Sequence, residues 1–210
     1  EKWLSNIEKT IALQTPHISA YSLTVEAKTA LANAIEKGKQ TGLSDEQSVA
    51  QFIILTEKLA KAEFEHYEIS NYALPGKYAV HNTNYWRGVP YLGIGPSAHG
   101  FDGYNRYLNI ANNAKYIALL ADNKLAETVE ELTINDRFNE YIMTSLRTMW
   151  GIDLEKIKKE FGLTYVQQTK KQIEQFLVKK QLILDKNKIC LTQNGKLFAD
   201  GIAAELFTEN

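Results

Sequence analysis

The residues of this chain with the clearest chemical potential lie within residues 68–100. His81 and Asn82 are close in sequence to Tyr85 and Trp86. A histidine can ligate a metal or transfer a proton near neutral pH, and an adjacent aromatic wall suits a flat ligand. Together, these residue types predict a ligand-binding segment.

A glycine pair follows in the segment Gly93-Ile94-Gly95-Pro96. Because glycine has no Cβ, such a segment lets the backbone approach a ligand closely. His99 adds a second titratable group nearby. Each residue alone also has a purely structural interpretation. A single histidine is more often structural than a ligand, and a Gly-x-Gly-Pro segment is more often a bend than a cofactor loop.

Several classes of site are excluded by what the sequence lacks. Cys190 is the single cysteine and the four histidines are far apart in sequence, so there is no zinc-ligand spacing and no internal disulfide framework. No glycine-rich phosphate loop ends in Gly-Lys-Ser/Thr, and there is no nucleophile elbow. The formal net charge of -1 provides no global field for nucleic acid or anionic membranes. No apolar run approaches the roughly 20 residues of a membrane helix.

The elements that must position these residues are predicted to alternate between helix and strand in the first half of the chain. Residues 1–13 form an amphipathic helical pattern. Residues 17–25, HISAYSLTV, are apolar on both faces, which favours a covered strand in a parallel sheet. A helix or loop over residues 26–39, a helix that starts at Ser44 and a strand in HYEISNYA complete an α/β pattern. Because the chain starts inside a helical pattern without methionine, we expect it to be part of a longer protein.

The middle of the chain has a different character. Residues 74–107 are rich in glycine, proline and aromatic residues, and such a long loop inside a compact domain is often functional. A helix is predicted over residues 112–125. The acidic residues 126–132 are predicted to be weakly structured and to separate two domains, residues 1–127 and 128–210.

The last third of the chain predicts a small winged-helix-like α+β domain. Three residues are placed to cap helices: Thr133, in a capping box with Asp136, then Asp153 and Thr192, the last at the start of a final helix through Leu206. A further helix is predicted over residues 165–180. LILD and KICL flank a tight turn, which predicts a β-hairpin.

Five motifs in this order resemble the HemN/HemW family: HISAYSL, EISNYALPG, HNTNYWRG, YLGIGPSAHG and LRTMWGIDL. These are radical S-adenosylmethionine proteins related to oxygen-independent coproporphyrinogen III oxidase. The block HN-x-x-YW followed by GIGPSAH is most similar to the HemW branch, whose members are regarded as haem chaperones. The resemblance covers residues 16–207. It implies the late part of an incomplete (β/α) radical S-adenosylmethionine barrel, followed by the family's C-terminal domain.

The resemblance also implies S-adenosylmethionine and a [4Fe-4S] cluster in the full-length protein. The family holds its cluster with a CxxxCxxC motif, which this sequence lacks. One cysteine cannot supply the three thiolates that such a cluster needs. We therefore expect neither group to be complete in this chain and assign it no catalytic residue.

Site residues are carried over from the family only where the motifs match. The resemblance implies that His81 contacts haem and is a possible ligand of its iron. It further implies that Arg106, at the head of an R-x-x-N segment that ends at Asn109, pairs with a carboxylate such as a porphyrin propionate. The cofactor-binding residues expected from the motifs are His81, Asn82, Tyr85, Trp86, Gly93, Gly95, Pro96 and Arg106.

Three functions remain open from the sequence. The first is haem binding and delivery to a haem-receiving protein in the cytoplasm, which the single cysteine also favours. The second is the oxidative decarboxylation of coproporphyrinogen III, an oxidoreductase activity that would need the missing cysteines.

The third is a nucleic-acid or protein-interaction module built on the winged helix. Residues 155–196 carry ten lysines against four acidic residues, which is a basic footprint. They contain no arginine, the residue favoured for bidentate guanine recognition, so DNA binding is the weaker expectation. Finally, we expect HISAYSL to form an exposed sheet edge that could pair with a second copy of the chain.

Overall fold

The computed structural model describes residues 1–42 and 44–209, which form two compact units, Glu1–Tyr78 and Ala79–Asn210. The domain boundary predicted at residues 127/128 lies inside the second unit and stays a prediction. The elements of the first unit are, in chain order, α1 (Lys2–Ala12), β1 (His17–Ser19), α2 (Ala30–Glu36), α3 (Asp45–Lys61), β2 (Glu65–Glu68) and β3 (Asn71–Ala73).

The core of the first unit lies between its helices and its sheet. Helix α1 contributes Ile7 and helix α3 contributes Leu55 and the fully buried Leu59, which pack with Ile18 and Tyr72 from the sheet. Helix α3 starts where the sequence predicts, because the hydroxyl of Ser44 accepts a hydrogen bond from the backbone N–H of residue 47 at 3.3 Å. The amphipathic pattern of the first helix is also confirmed.

The sheet of the first unit corrects the predicted parallel arrangement. Its order is β1–β3–β2, and both pairs are antiparallel. Only His17–Ser19 of the predicted strand is in the sheet. The predicted strand HYEISNYA is a hairpin, because the Glu68 carboxylate accepts hydrogen bonds from the backbone of Ser70 and the side chain of Asn71 and turns the chain. Strand β1 does lie at an edge of this sheet, whereas pairing with a second copy stays a prediction.

The polar contact between β1 and β2 should make the first unit sensitive to pH. His17 Nε2 lies 2.8 Å from the hydroxyl of the fully buried Tyr67, and burial lowers the pKa of His17 from 6.5. The folded state favours the neutral imidazole, so stability that is present above pH 6.5 should be lost as the pH falls through the folded pKa. We expect a lower urea midpoint at pH 5 than at pH 8, with a smaller difference in a His17→Gln variant. Identical pH profiles for the two proteins would contradict this.

The second unit contains the remaining elements. They are α4 (Val80–Trp86), β4 (His99–Phe101), β5 (Asn105–Asn109), α5 (Asn113–Ala121), β6 (Glu127–Glu131), α6 (Ile134–Leu146), β7 (Ile152–Asp153), α7 (Leu154–Glu160), α8 (Leu163–Val178), β8 (Leu182–Asp185), β9 (Lys188–Leu191), α9 (Gln193–Lys196) and α10 (Ala199–Glu205).

Two predictions for the middle of the chain are wrong in part. Residues 74–107 are not one long loop, because the segment HN-x-x-YW lies in α4 and a hairpin of β4 and β5 follows it. The acidic segment is not weakly structured. It forms β6, which pairs along its whole length with β5, and the charges of Glu130 and Arg106 face each other across the two strands.

The C-terminal part follows the predicted winged-helix order more closely. The capping box of Thr133 and Asp136 is present, and Asp153 accepts hydrogen bonds from two backbone N–H groups at the start of α7. The hairpin β8–β9 is confirmed, and the short strand β7, which the sequence pattern did not predict, joins it as a third strand. The predicted cap at Thr192 is confirmed, because its hydroxyl accepts a hydrogen bond from the backbone N–H of Gly195. The single helix predicted after it is wrong, because the chain forms the separate helices α9 and α10. No helix among the described residues is long and apolar enough to cross a membrane.

Candidate functional site

A cleft of about 970 Å³ lies within the second unit, between the segment from α4 to β5 and the helices α6 and α7. This volume is within the range of small-molecule sites, which is roughly 300–1,000 Å³. Its lining is unusual in combining aromatic rings with charged side chains. These lining residues are Tyr85, Trp86, Arg87, Tyr91, Phe101, Asp102, Tyr104, Arg106, Arg137, Glu140, Tyr141, Trp150, Asp153, Lys156, Glu160, Phe161 and Lys188.

One wall of the cleft is a row of aromatic rings. Tyr85 contacts Trp86 edge-on, with 5.2 Å between ring centroids, and Tyr91 at 5.7 Å. Tyr91 is fixed because it exchanges two backbone hydrogen bonds with Phe101, of 2.8 and 2.9 Å. Burial raises the pKa of Tyr91, so its hydroxyl stays a neutral hydrogen-bonding group. The rings are tilted against one another by 46–83°, so they line the cleft with ring edges as well as ring faces.

The facing wall comes from the C-terminal helices. Tyr141 on α6 and Phe161 after α7 stack with their ring centroids 6.1 Å apart. The hydroxyl of Tyr141 accepts a hydrogen bond from the backbone N–H of Asp153 at 2.8 Å, which fixes the ring against the start of α7. Burial raises the pKa of Tyr141. Aromatic residues of α6 and of the segment after α7 therefore line the cleft together with those of the segment from α4 to β5.

Three of the cations that line the cleft lie over its aromatic rings, and a fourth cation, Arg147, lies 5.2 Å from the ring of Trp86. The guanidinium of Arg87 lies 4.3 Å from the ring of Trp150, and that of Arg137 lies 5.3 Å from the ring of Tyr104. The ammonium of Lys156 lies 4.7 Å from the ring of Tyr141. Contacts of this kind hold a cation against a ring with about 0.5–2 kcal/mol each. They position positive charge at the cleft without neutralising it.

Two other cations of the cleft are neutralised by carboxylates. Arg106 pairs with Glu140 and, at 3.3 Å, with Glu130. Lys188 pairs with Asp153 at 2.8 Å, and this hydrogen bond lowers the pKa of the Asp153 carboxyl. The predicted role of Arg106 with a propionate therefore stays a prediction, and such a ligand would have to compete with two resident carboxylates.

The structure brings only some of the predicted site residues together. Tyr85, Trp86 and Arg106 line the cleft, whereas His81, Asn82, Gly93, Gly95 and Pro96 do not. His81 is exposed in the first turn of α4, four residues before Tyr85. Because residues four apart share one face of a helix, His81 and Tyr85 are neighbours on α4.

The glycine pair has a role within the fold. The side-chain amide of Asn109 donates hydrogen bonds to the carbonyls of Gly93 and Gly95, at 3.1 and 2.9 Å. A Cβ at Gly93 would collide with the backbone carbonyl of His99, whereas a Cβ at Gly95 would meet open space. Gly93 therefore allows one backbone segment to approach another, and Gly95 is the member of the pair that a ligand could approach. The described residues form no closed barrel around these glycines.

Sequence reasoning missed the uncompensated cations of the cleft. Arg87 directly follows the aromatic pair of HNTNYWRG, so its position next to the motif was the available signal. Arg137 and Lys156 look like ordinary charged positions on amphipathic helices. Their aromatic partners lie on other elements, so no local spacing in the sequence predicts these contacts.

The described residues do not fit an iron–sulfur cluster. No group of three or more histidine, cysteine, aspartate or glutamate side chains among residues 1–42 and 44–209 could hold a metal ion. Burial raises the pKa of the Cys190 thiol, which is the opposite of what a thiolate ligand requires. These residues therefore support no reaction step through a cluster or S-adenosylmethionine.

Comparisons with known proteins agree with the motifs. Residues 132–198 match the family model described as the HemN C-terminal domain. The chain is 30% identical to "Heme chaperone HemW" of Lactococcus lactis over 91% of its own length and 50% of that protein. It is 28% identical to the protein of the same name from Bacillus subtilis, over 94% of its own length and 52% of that protein.

The fold also matches a solved structure, described as coproporphyrinogen III oxidase (HemN) from Escherichia coli, a radical SAM enzyme. The TM-score is 0.72 at 16% identity, over 98% of this chain and 51% of that chain. This chain thus spans about half the length of the proteins that it matches. The resemblance that the motifs predict is confirmed.

Proposed function

We propose that this chain, a relative of the HemN and HemW proteins over about half of their length, binds a porphyrin or haem. The observation that carries the proposal is the cleft of about 970 Å³ with aromatic rings on both walls. A planar macrocycle buries most surface when its faces meet aromatic rings, and such rings prefer offset or edge contacts with one another. The motif residues Tyr85 and Trp86 contribute to one of these walls.

An unsatisfied polar atom in the cleft supports a ligand there. The indole N–H of Trp86 is buried and has no hydrogen-bond partner in the structure. A buried donor without a partner costs about 1–3 kcal/mol. Because this atom has no exposed surface, an acceptor on a ligand in the cleft would satisfy it only after the Trp86 ring or a neighbouring side chain shifts.

His81 is the proposed ligand of the haem iron. Its imidazole is exposed on the face of α4 that also carries Tyr85. Neutral imidazole nitrogen is a common axial ligand of haem iron. Haem ligated by His81 would thus lie next to the aromatic wall that begins with Tyr85. Asn82, Gly95 and Pro96 are proposed to contact a ligand or cofactor in the full-length protein.

Delivery of haem to a receiving protein in the cytoplasm is the activity that we propose for the full-length protein. HemW relatives are named as haem chaperones, and the single, half-buried Cys190 suits a reducing compartment. S-adenosylmethionine and a [4Fe-4S] cluster are proposed for the full-length protein only. The exposed edge at β1 is a candidate surface for a second copy of the chain.

Replacement of His81 by alanine should remove the iron ligand and leave the cleft intact. We expect haem added to the wild-type chain to give a shifted Soret band, and the His81→Ala variant to lose that shift. The matched control is His99→Ala, because His99 is an exposed histidine of the same unit that lies outside α4. Absorption spectra of the three proteins with equal haem decide the point. An unchanged spectrum in His81→Ala would exclude the proposed ligand.

Oxidation of coproporphyrinogen III is the second candidate. The fold likeness to the Escherichia coli HemN structure favours it, because that protein is described as a coproporphyrinogen III oxidase. The test is an assay of the full-length protein with coproporphyrinogen III under anaerobic and reducing conditions. Decarboxylation of coproporphyrinogen III there would replace the chaperone proposal with the oxidase.

A further inference from the structure

We infer that Arg87, Arg137 and Lys156 bind the carboxylates of the planar ligand in the cleft, and that the cleft therefore selects a macrocycle with at least two carboxylates. This inference rests on the proposed binding of a porphyrin or haem. The resemblance to the family predicts that Arg106 binds a carboxylate of the ligand. The inference instead assigns this role to the three other cations.

Free positive charge at the cleft is the first support. Arg87, Arg137 and Lys156 lie over rings and have no carboxylate partner among the described residues. Of the carboxylates that line the cleft, those of Glu140 and Asp153 are paired with cations. Two other lining residues, Asp102 and Glu160, also carry carboxylates, and neither is paired with a cation among the described residues.

The Asp102 carboxylate is held by the turn between β4 and β5. It accepts hydrogen bonds from the backbone N–H groups of Tyr104 and Asn105 and from the hydroxyl of Tyr107, at 2.7–2.8 Å. The Asn105 N–H, the Tyr107 hydroxyl and the Tyr104 N–H, in that order, lower the pKa of Asp102 to about 2. These donors are neutral, so Asp102 stays ionised, and Asp102 and Glu160 are the two carboxylates of the described lining without a cation partner. Three unpaired cations against these two carboxylates leave the described lining with a net charge of +1.

An unsatisfied donor is the second support. The Nε–H of Arg137 is buried and has no hydrogen-bond partner in the structure. A guanidinium keeps its N–H groups pointing outward in its own plane, where they can donate to a carboxylate in a fork. Because the Nε–H is buried, the terminal nitrogens of Arg137, which form no ion pair among the described residues, are the groups that would donate to a ligand carboxylate.

The origin of the cations on separate elements is the third support. Arg87 follows α4, Arg137 lies on α6 and Lys156 lies on α7. Charge is therefore provided from both sides of the aromatic cleft. A planar ligand with carboxylates at its periphery can place its ring against the aromatic walls and its carboxylates against these cations. A ligand with the same ring and no free carboxylate would leave the cations uncompensated.

The test compares metal-free protoporphyrin IX with its dimethyl ester, which has the same ring and no free carboxylate. Because neither ligand contains iron, ligation by His81 does not contribute. We expect fluorescence titration of the wild-type chain to show at least about tenfold weaker binding of the ester, since a hydrogen bond to a charged group contributes about a factor of ten or more. Arg87→Gln and Lys156→Gln should each weaken binding of the diacid about tenfold and reduce its advantage over the ester.

The matched control is Lys159→Gln, the same substitution on an exposed residue of α7 outside the cleft. It should bind both ligands as the wild type does. Arg137 is half-buried, and its replacement also changes packing, so the exposed Arg87 and the half-buried Lys156 decide the outcome.

Two outcomes separate this inference from the proposed function. Equal affinity for the diacid and the ester, unaffected by Arg87→Gln and Lys156→Gln, would overturn the carboxylate assignment and leave porphyrin binding intact. If neither haem nor protoporphyrin binds the wild-type chain, the proposed function and the inference both fall.

Discussion

Replacement of Phe138 by alanine is expected to lower the free energy of unfolding of the second unit by about 3–5 kcal/mol, the usual cost of removing a buried phenylalanine ring. Phe138 on α6 has no exposed surface. Its ring contacts those of Phe161 and Tyr165, with centroid distances of 5.4 and 4.7 Å. The surrounding helices cannot fill the space that the ring leaves without moving, so a cavity term adds to the lost burial.

The same substitution should weaken ligand binding. Phe161 contacts Phe138 on one side and Tyr141 on the other, and both Phe161 and Tyr141 line the cleft. A cavity at residue 138 removes the support behind this wall. Urea unfolding followed by tryptophan fluorescence gives the stability change when Trp3 of the first unit is replaced by phenylalanine in every variant, so that only Trp86 and Trp150 of the second unit report.

The control for Phe138 lies on the same helix. Ile134 is in the first turn of α6 and 43% of its surface is exposed, so Ile134→Ala should cost much less. Equal losses for Phe138→Ala and Ile134→Ala would mean that the aromatic cluster does not support the second unit.

The helix starts of this chain were predictable because capping is a local interaction. Ser44, Thr133 and Asp153 each accept a hydrogen bond from a backbone N–H two or three residues later. Such contacts depend on sequence spacing alone. The same reasoning predicted one final helix after Thr192. The helix instead ends and a second one begins at Leu197–Phe198, because the hydrogen bonds of a cap fix only the first turn.

Strand partners were less predictable, because they are chosen by contacts distant in sequence. Strand β1 pairs with β3 more than 50 residues later, in the register of Ile18 opposite Tyr72. The apolar character of HISAYSLTV suited a covered strand and carried no information about its direction. Strand β6 was missed because its acidic residues disfavour a buried strand, whereas its side chains are mostly exposed and one pairs with Arg106.

The candidate site was likewise predictable where the signal is local, and not where it depends on contacts distant in sequence. The aromatic pair Tyr85 and Trp86 was found from a motif, and both residues line the cleft. The facing wall of Tyr141 and Phe161 belongs to helices whose apolar positions resemble any core pattern. The glycine pair was found from its spacing, but only the structure distinguishes a glycine that faces backbone from one that faces open space.

This distinction predicts different outcomes for alanine at the two glycines. In Gly93→Ala the new Cβ would collide with the backbone carbonyl oxygen of His99. Backbone cannot give way as a flexible side chain does, so we expect a loss of about 3 kcal/mol, at the upper end of overpacking costs. In Gly95→Ala nothing lies within 4 Å of the new Cβ, and the cost of about 1 kcal/mol comes from the positive φ of 101°.

Hydrogen exchange would locate the two effects. Gly93→Ala should push β4 away from residue 93 and increase exchange of the amides that pair β4 with β5, whereas Gly95→Ala should leave this pairing intact. Equal protection of these amides in both variants would contradict the assignment of Gly93 to backbone packing.

Ligand binding by Gly95→Ala then tests the proposal that this glycine contacts a ligand. Its Cβ would enter open space, so the methyl group strains only the local backbone at the positive φ and narrows the approach to the backbone of residues 95–96. We expect haem or S-adenosylmethionine binding by the full-length protein to weaken if the ligand contacts this backbone. Unchanged binding, together with intact protection of the β4–β5 amides, would contradict contact between Gly95 and a ligand. The glycine pair would then have only its role in the fold, in which its two carbonyls accept hydrogen bonds from the side chain of Asn109.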